Sequence, residues 1–509
     1  MRDVKGRIIR ASIWITVARG IANLMTALST IVLARLLLPA DFGLVALATS
    51  MLVVLQAFTE LSMSQALINT RNPTADHYNT VWSLGFGRGL LIGLAFALAA
   101  PVAARAYSEP RLEGVMFALA ASAVLSGLQN PKLVVLQKQL NFHQEAIRSI
   151  SSTLLQVGAS ISIAIAFRSY WALVAGILTG QVATVILSYT LVPFRPALSW
   201  KHLRELWSFS VWISLGQIVN TLNYRFDQLL VGSFLGRAEL GLYTVGSRLA
   251  IMPGHEIVRP LTKTLYPAFS LTSHDPQRLQ RAYRRVQSVV TAIALPASVG
   301  FCLIADPAVR LFLGEKWLGA IPVVQIVAAT YSIDTFGSLV TPLGMAKGQT
   351  RLLFVRTLQK FAMRVPMIAL GLFLGGLMGL LYCRMIAGVI GVAVDMAMIG
   401  RLTNIGLLEQ IRANWRALVS TTIMVLAILM FHDLALFAGD KQGLILALIA
   451  TILLAVSVYA ASSWLLWRAA GRPNGPESEV MEGGSRLLKA LRDRWTGVRP
   501  IGNDSSGLS

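Results

Sequence analysis

Eight cationic side chains sit where cations are costly to keep. Arg19, Arg88, Arg225, Arg248, Arg259, Lys360, Arg364 and Arg384 fall inside long apolar runs, in company with the acids Glu60, Asp227, Glu256, Asp334 and Asp395. A central arginine costs about 2.5–3.5 kcal/mol even on lenient insertion scales, so eight of them cannot face hydrocarbon. They must line a wet cavity, pair internally or snorkel to an interface. Five acids neutralise at most five bases, which leaves at least three positive charges over. That surplus points to an anionic ligand such as a phosphate or pyrophosphate. The planar guanidinium fork matches phosphate oxygens two at a time.

Several of these groups are in helical register. Arg356, Lys360 and Arg364 repeat every four residues and share one helix face. Arg248, His255 and Arg259 share another. Gln217, Asn220, Tyr224 and Asp227 form a polar stripe, with Arg225 off it. Arg259 and Lys360 also lie near run ends, where snorkelling is the competing expectation. Glu60, Asp227 and Asp334 could carry a coupling proton or sodium ion; the alternative for each is a carboxylate pinned by a neighbouring arginine.

Other chemistry is missing. Cys302 and Cys383 give neither metal spacing nor a disulfide framework, and the six histidines are scattered. No Ser/His/Asp constellation is visible, so no catalytic residue, metal or cofactor is expected, and the chain reads as no enzyme. Gly85-Phe86-Gly87-Arg88-Gly89 is a fragment of a dinucleotide fingerprint without its strand–turn–helix setting. Gly371, Gly375 and Gly379 form overlapping GxxxG steps that predict close helix packing.

The elements that hold these residues are apolar helices. Of 509 residues, 55% are hydrophobic and 14% charged, against roughly 25% charged in soluble domains. The apolar runs are about 20 residues long, the length that crosses a hydrocarbon core. Fourteen spans are predicted, near 12–34, 42–68, 80–104, 112–131, 146–167, 170–192, 206–234, 240–262, 286–304, 321–345, 357–375, 377–399, 417–431 and 443–467. With the N-terminus inside, 29 of the 45 Lys and Arg fall on the inner side and eight on the outer. That asymmetry predicts both termini in the cytoplasm. It also explains the net charge of +21 without nucleic acid. The basic N-terminus leads into a retained first span rather than a cleaved signal.

The first and seventh spans match at a constant offset of 198 residues. Ser12-Ile13-Trp14-Ile15 aligns with Ser210-Val211-Trp212-Ile213, and Ala40-Asp41-Phe42-Gly43-Leu44 with Ala238-Glu239-Leu240-Gly241-Leu242. The expected organisation is a six-helix lobe over 1–200, a second over 201–400, two further spans over 401–470 and a tail over 471–509. Six spans per repeat put both halves in the same sense, with a cavity between them. In the tail, a disordered Gly471–Gly484 tether is expected before a basic amphipathic helix over Ser485–Trp495, suited to an anionic membrane surface.

The stretch Ala34-Arg35-Leu36-Leu37-Leu38-Pro39-Ala40-Asp41-Phe42-Gly43-Leu44 resembles the first loop of Wzx-type polysaccharide flippases, and Gln56, Phe58, Glu60, Leu61 and Ala66-Leu67-Ile68 continue it. Gln137–Phe142, Asp227-Gln228-Leu229-Leu230-Val231-Gly232, Leu240-Gly241-Leu242-Tyr243, Arg248-Leu249 and Met252-Pro253 are similar to the same group. Pro260, Tyr266-Pro267-Ala268-Phe269-Ser270 and Asp275-Pro276 extend the likeness, which covers roughly residues 5–400. The group belongs to the superfamily of MATE-type multidrug exporters and lipid II flippases. The resemblance implies an all-α, V-shaped, MATE-like bundle of two six-helix repeats plus two C-terminal helices. It also implies flipping of undecaprenyl-pyrophosphate-linked oligosaccharide across the bacterial inner membrane, for exopolysaccharide or lipopolysaccharide synthesis. Implied partners are the lipid-linked oligosaccharide, membrane lipids, a polysaccharide polymerase and chain-length regulator proteins. The rival functions are a MATE-type small-molecule exporter, which would want an acidic cavity, and a membrane-bound polymerase or ligase, which would want a large outer loop.

Overall fold

A computed structural model describes residues 2–59, 67, 70, 73–138, 142–431, 441–473 and 475–478. The described residues are helical almost throughout. The first lobe comprises α1 (Arg2–Leu36), α2 (Pro39–Thr59), α3 (Ala75–Ala106), α4 (Arg111–Gly127), α5 (Phe142–Phe167) and α6 (Trp171–Leu191). The second comprises α7 (Leu203–Phe234), α8 (Arg237–Thr272), α9 (Pro276–Leu303), α10 (Ile321–Asp334), α11 (350–374) and α12 (377–403). Two further helices follow, α13 (Trp415–Met430) and α14 (Lys441–Ala469). Each expected span overlaps one of these helices. Among the described residues nine helices are long and apolar enough to cross a membrane, one of them holding both α11 and α12, and α13 is a shorter apolar helix. The chain is a multi-pass membrane protein.

Local chemistry sets the boundaries. Asp275 caps α9 by accepting from the Gln277 and Arg278 amides at 3.0 and 3.1 Å, with Pro276 at the first helical position. Thr74 and His77 form a capping box at the start of α3. The helical run Thr350–Thr403 breaks at Gly375 and Gly376; the latter has φ +58, which glycine alone adopts without strain. The chain folds back there. A Cβ on Gly371 would lie 2.3 Å from the Gly379 carbonyl, so Gly371 and Gly379 form the contact of the α11–α12 hairpin, while Gly375, the middle glycine of the expected GxxxG steps, lies in the break and packs on nothing among the described residues.

In the first lobe α1 packs on α5, α5 on α6, and α3 on α4. In the second, α8 packs on α9 and α10, and α11–α12 close against α7 and α10. The lobes meet chiefly through α2 against α7 and α8, while α13 leans on α9 and α14 on α13. The start of the tail departs from the expected loose tether. Trp467 Nε1 donates to the Pro473 carbonyl at 3.0 Å, and Glu477 is held by Arg416 at 2.9 Å and Ser463 at 3.2 Å. A carboxylate placed among α13 and α14 finds a guanidinium there, which outweighs the flexibility that Gly471 and Gly475 suggest. The amphipathic segment 485–495 lies outside the described residues.

Candidate functional site

The two repeats touch at equivalent positions. At one end of the bundle a Cβ on Gly43 would lie 1.7 Å from the Arg237 carbonyl oxygen, and one on Gly241 would lie 1.9 Å from that of Pro39. Gly241 is Gly43 displaced by 198, and Arg237 is Pro39 displaced by 198. The N-termini of α2 and α8 therefore touch backbone to backbone about a two-fold axis. Around them, Arg237 pairs with Glu109 at 2.6 Å. Trp317 Nε1 donates to the Ala34 carbonyl at 2.9 Å, and Tyr107 bonds Ser233 at 3.0 Å. Arg35 crosses to the carbonyls that end the short helix Ala305–Phe312, that of Phe312 at 3.0 Å. Asp306 holds Arg310 in the same corner, and their hydrogen bond pushes the guanidinium pKa up. The turns α1–α2, α3–α4, α7–α8 and α9–α10 thus close one end of the molecule.

Beyond that seal lies a cavity of about 1280 Å³ walled by α1, α2, α7, α8, α10 and the 338–345 segment that follows α10. Thr26, Ala27, Ala46 and Thr49 come from the first lobe. Asn220, Tyr224, Arg225, Gln228, Thr244, Ser247 and Arg248 face them from the second. Arg225 and Arg248 are the charged groups among the described lining residues, and no acid joins them. Each lies roughly 15 Å of helix from the α7–α8 turn, the depth of the middle of a hydrocarbon core about 30 Å thick. Arg225 donates to Gln228 Oε1 at 2.9 Å, and the same oxygen accepts from Ser50 of the first lobe at 2.6 Å. The hydroxyls of Thr244 and Ser247 are buried at this wall without a hydrogen-bond partner.

Three more of the eight cations enter a buried network inside the second lobe. Asp227, only 2% exposed, accepts on Oδ2 from Tyr243 at 2.8 Å and Arg364 at 2.5 Å and forms an ion pair with Arg384 at 3.4 Å. Arg384 also donates to the Tyr243 hydroxyl and lies over its ring. Arg364 reaches Asn223 at 3.4 Å. A turn away along α11, Asp395 takes a two-point bond from Arg356 at 2.5 and 2.8 Å and a third from Lys360 at 2.9 Å. The shared face of Arg356, Lys360 and Arg364 is thus the face α11 turns to acids on α7 and α12. Asp334 stands near this second cluster with no ion pair among the described residues.

Arg88 sits in the first lobe, bonding Thr59 at 3.1 Å and the Gln56 carbonyl at 3.0 Å. Arg19 is exposed on α1, and Gln217 is exposed on α7 outside the cavity lining. Glu60 and the side chains of Arg259, His255 and Glu256 lie outside the described residues. Of the polar stripe, Asn220 and Tyr224 face the cavity while Asp227 turns to α11. Arg225, off that stripe, lines the cavity beside them. Reading the sequence missed Tyr243 and Gln228 as partners. The one signal available for them was their position on helices already carrying charge.

Residues 32–322 match a family described as polysaccharide biosynthesis proteins. The chain is 23% identical over 480 residues to the succinoglycan biosynthesis transport protein ExoT of Rhizobium meliloti, covering 92% of this chain and 93% of that one. It is 23% identical over 385 residues to the lipopolysaccharide biosynthesis protein WzxC of Escherichia coli, covering 74% and 77%. Among solved structures it resembles the lipid II flippase MurJ in an inward closed conformation, with a TM-score of 0.70 at 14% identity over 90% of this chain and 99% of that one. An inward-facing MATE family multidrug resistance transporter gives a TM-score of 0.57 at 16% identity over 75% and 96%. The two-lobed bundle therefore shares the fold of these two structures, and the chain belongs to the polysaccharide biosynthesis protein family.

Proposed function

We propose that this protein flips a lipid-linked oligosaccharide across the bacterial inner membrane, holding the diphosphate in the cavity between its lobes. The observation that carries the reading is the cavity itself: about 1280 Å³, with Arg225 and Arg248 and no acid among its described lining residues. Pockets for drug-sized ligands run to roughly 300–1,000 Å³, so the volume suits a larger polar cargo. Two mid-membrane guanidiniums are tolerable only beside water or an anion. Hydroxyls and amides on the remaining wall suit sugar. ExoT and WzxC, by their names, serve polysaccharide export and lipopolysaccharide synthesis, which supports the same cargo here. The charge asymmetry of the loops supports cytoplasmic termini, and so a seal at the periplasmic end and a cavity facing the cytoplasm. A polymerase and chain-length regulator would take up the flipped unit.

A cation-drug exporter is disfavoured by the cationic lining. A polymerase or ligase is disfavoured because the 304–320 connection is spent on packing: it forms short helices and buries Trp317 in the core. For coupling, Asp227 Oδ2 is already engaged by two hydrogen-bond donors and a second guanidinium, which favours Asp334 over Asp227 as a proton or sodium site. The test is export in a host lacking its own flippase. The double variant Arg225→Gln/Arg248→Gln should reach the membrane at normal level and export no polymer. Labelled lipid-linked sugar incubated with the reconstituted protein should change leaflet and keep its mass; a changed mass would replace the flippase with an enzyme.

A further inference from the structure

The 198-residue offset pairs four residues of the first-lobe cavity wall with four of the second, and the charge does not follow the pairing. Asn23, Thr26, Ala27, Ala46 and Thr49 line the first-lobe wall; Tyr224, Arg225, Thr244 and Ser247 are the counterparts of the last four on the second. Arg225 thus faces a cavity whose equivalent position holds Ala27. Arg248 corresponds to Ser50, which is fully buried and spends its hydroxyl on Ala46 and Gln228. Among the described residues the first-lobe wall is neutral and the second carries both cations. The unpartnered hydroxyls of Thr244 and Ser247 lie on the cationic side as well, a turn and less from Arg248 along α8.

We propose that the substrate's diphosphate is held by the second lobe alone, through Arg225 and Arg248, and travels with that lobe while the neutral first-lobe wall takes sugar hydroxyls. This deepens the flippase reading and rests on it. The physical reason is release. An anion bridged by charged groups on both walls would tie the lobes together, and rocking would have to break charge-assisted bonds, the strong class. An anion carried on one wall leaves only hydroxyl contacts to be exchanged at the other, and water replaces those readily. The arrangement also explains how the Ser50–Gln228–Arg225 chain works: it spans the lobes with neutral partners on the first-lobe side, so separation costs no buried charge its counter-ion.

The test uses the full-length protein in phosphatidylcholine nanodiscs with undecaprenyl diphosphate as probe and undecaprenol as the uncharged control, together with polymer export in cells. Arg225→Ala should weaken diphosphate binding by roughly 10- to 100-fold, leave undecaprenol unaffected and abolish export. Arg225→Lys, which keeps the charge on the second lobe, should retain part of the export. Ala27→Arg added to Arg225→Ala puts the charge back on the opposite wall; it should not restore export, whether or not diphosphate affinity returns. Wild-type export from that transposed variant would overturn the one-lobe assignment, as would an Arg225→Lys protein as inactive as Arg225→Ala. Wild-type diphosphate affinity in Arg225→Gln/Arg248→Gln would instead bring down the cationic-cavity reading beneath it.

Discussion

Replacing Asp227 with asparagine should be among the most damaging single substitutions in the second lobe. The carboxylate is 2% exposed and faces two guanidiniums, Arg364 and Arg384, whose side chains are themselves 18% and 10% exposed. With the acid ionised the trio carries one net positive charge; Asp227→Asn raises that to two and removes the one carboxylate that both guanidiniums contact directly. Removing one partner of a buried pair costs about 3–5 kcal/mol, because the remaining charge stays buried. Taking the lobe as the unfolding unit, at about 2–4 °C per kcal/mol, the melting temperature in detergent should drop by roughly 6–20 °C. The double variant Asp227→Asn/Arg364→Gln returns the net charge to one. It should recover part of the loss, with a coupling of at least about 1 kcal/mol in the mutant cycle. A single variant melting within about 2 °C of the parent, or a strictly additive double variant, would refute the pairing.

Two further outcomes follow from the geometry. Gly43→Ala drives a methyl group into the Arg237 carbonyl, and Gly241→Ala does the same at Pro39. Each should spread the sealed end and raise maleimide labelling of a cysteine placed at Leu38, to a similar extent; a large difference between the two would contradict the two-fold contact. Glu477→Gln removes the partner of Arg416, so proteinase K should cut within residues 470–478 several-fold faster than in the parent, and an unchanged digestion rate would show that the ion pair does not hold the tail.

Much of the architecture was legible in the residues. Run length gave the helices and their order, and the 198-residue offset gave the lobes; that the Gly43 and Gly241 turns touch is a property of the fold alone. The roles of the buried cations were less legible. Helical periodicity says that Arg356, Lys360 and Arg364 share a face, but not that Asp395 and Asp227 occupy the space opposite. Arg356 stands just before the apolar run at 357–375, and its pairing with Asp395 arises because α11 begins earlier, at Thr350. Conversely Arg225 lies off the stripe of Asn220 and Tyr224, yet the cavity is wide enough to take in both directions from α7. A side chain's neighbour is a property of tertiary packing, and single-helix patterning does not contain it.

The reciprocal approach of Gly43 to Arg237 and of Gly241 to Pro39 has the form of an isologous interface, in which one patch meets its own copy. A half-length chain of six helices, inserted in one orientation, could build this seam by pairing with an identical molecule. Fusing two such copies frees each to diverge while the shared seam constrains both. The cavity arginines sit on one copy only, so the joined chain can do something a symmetric pair cannot: give its cargo a preferred side.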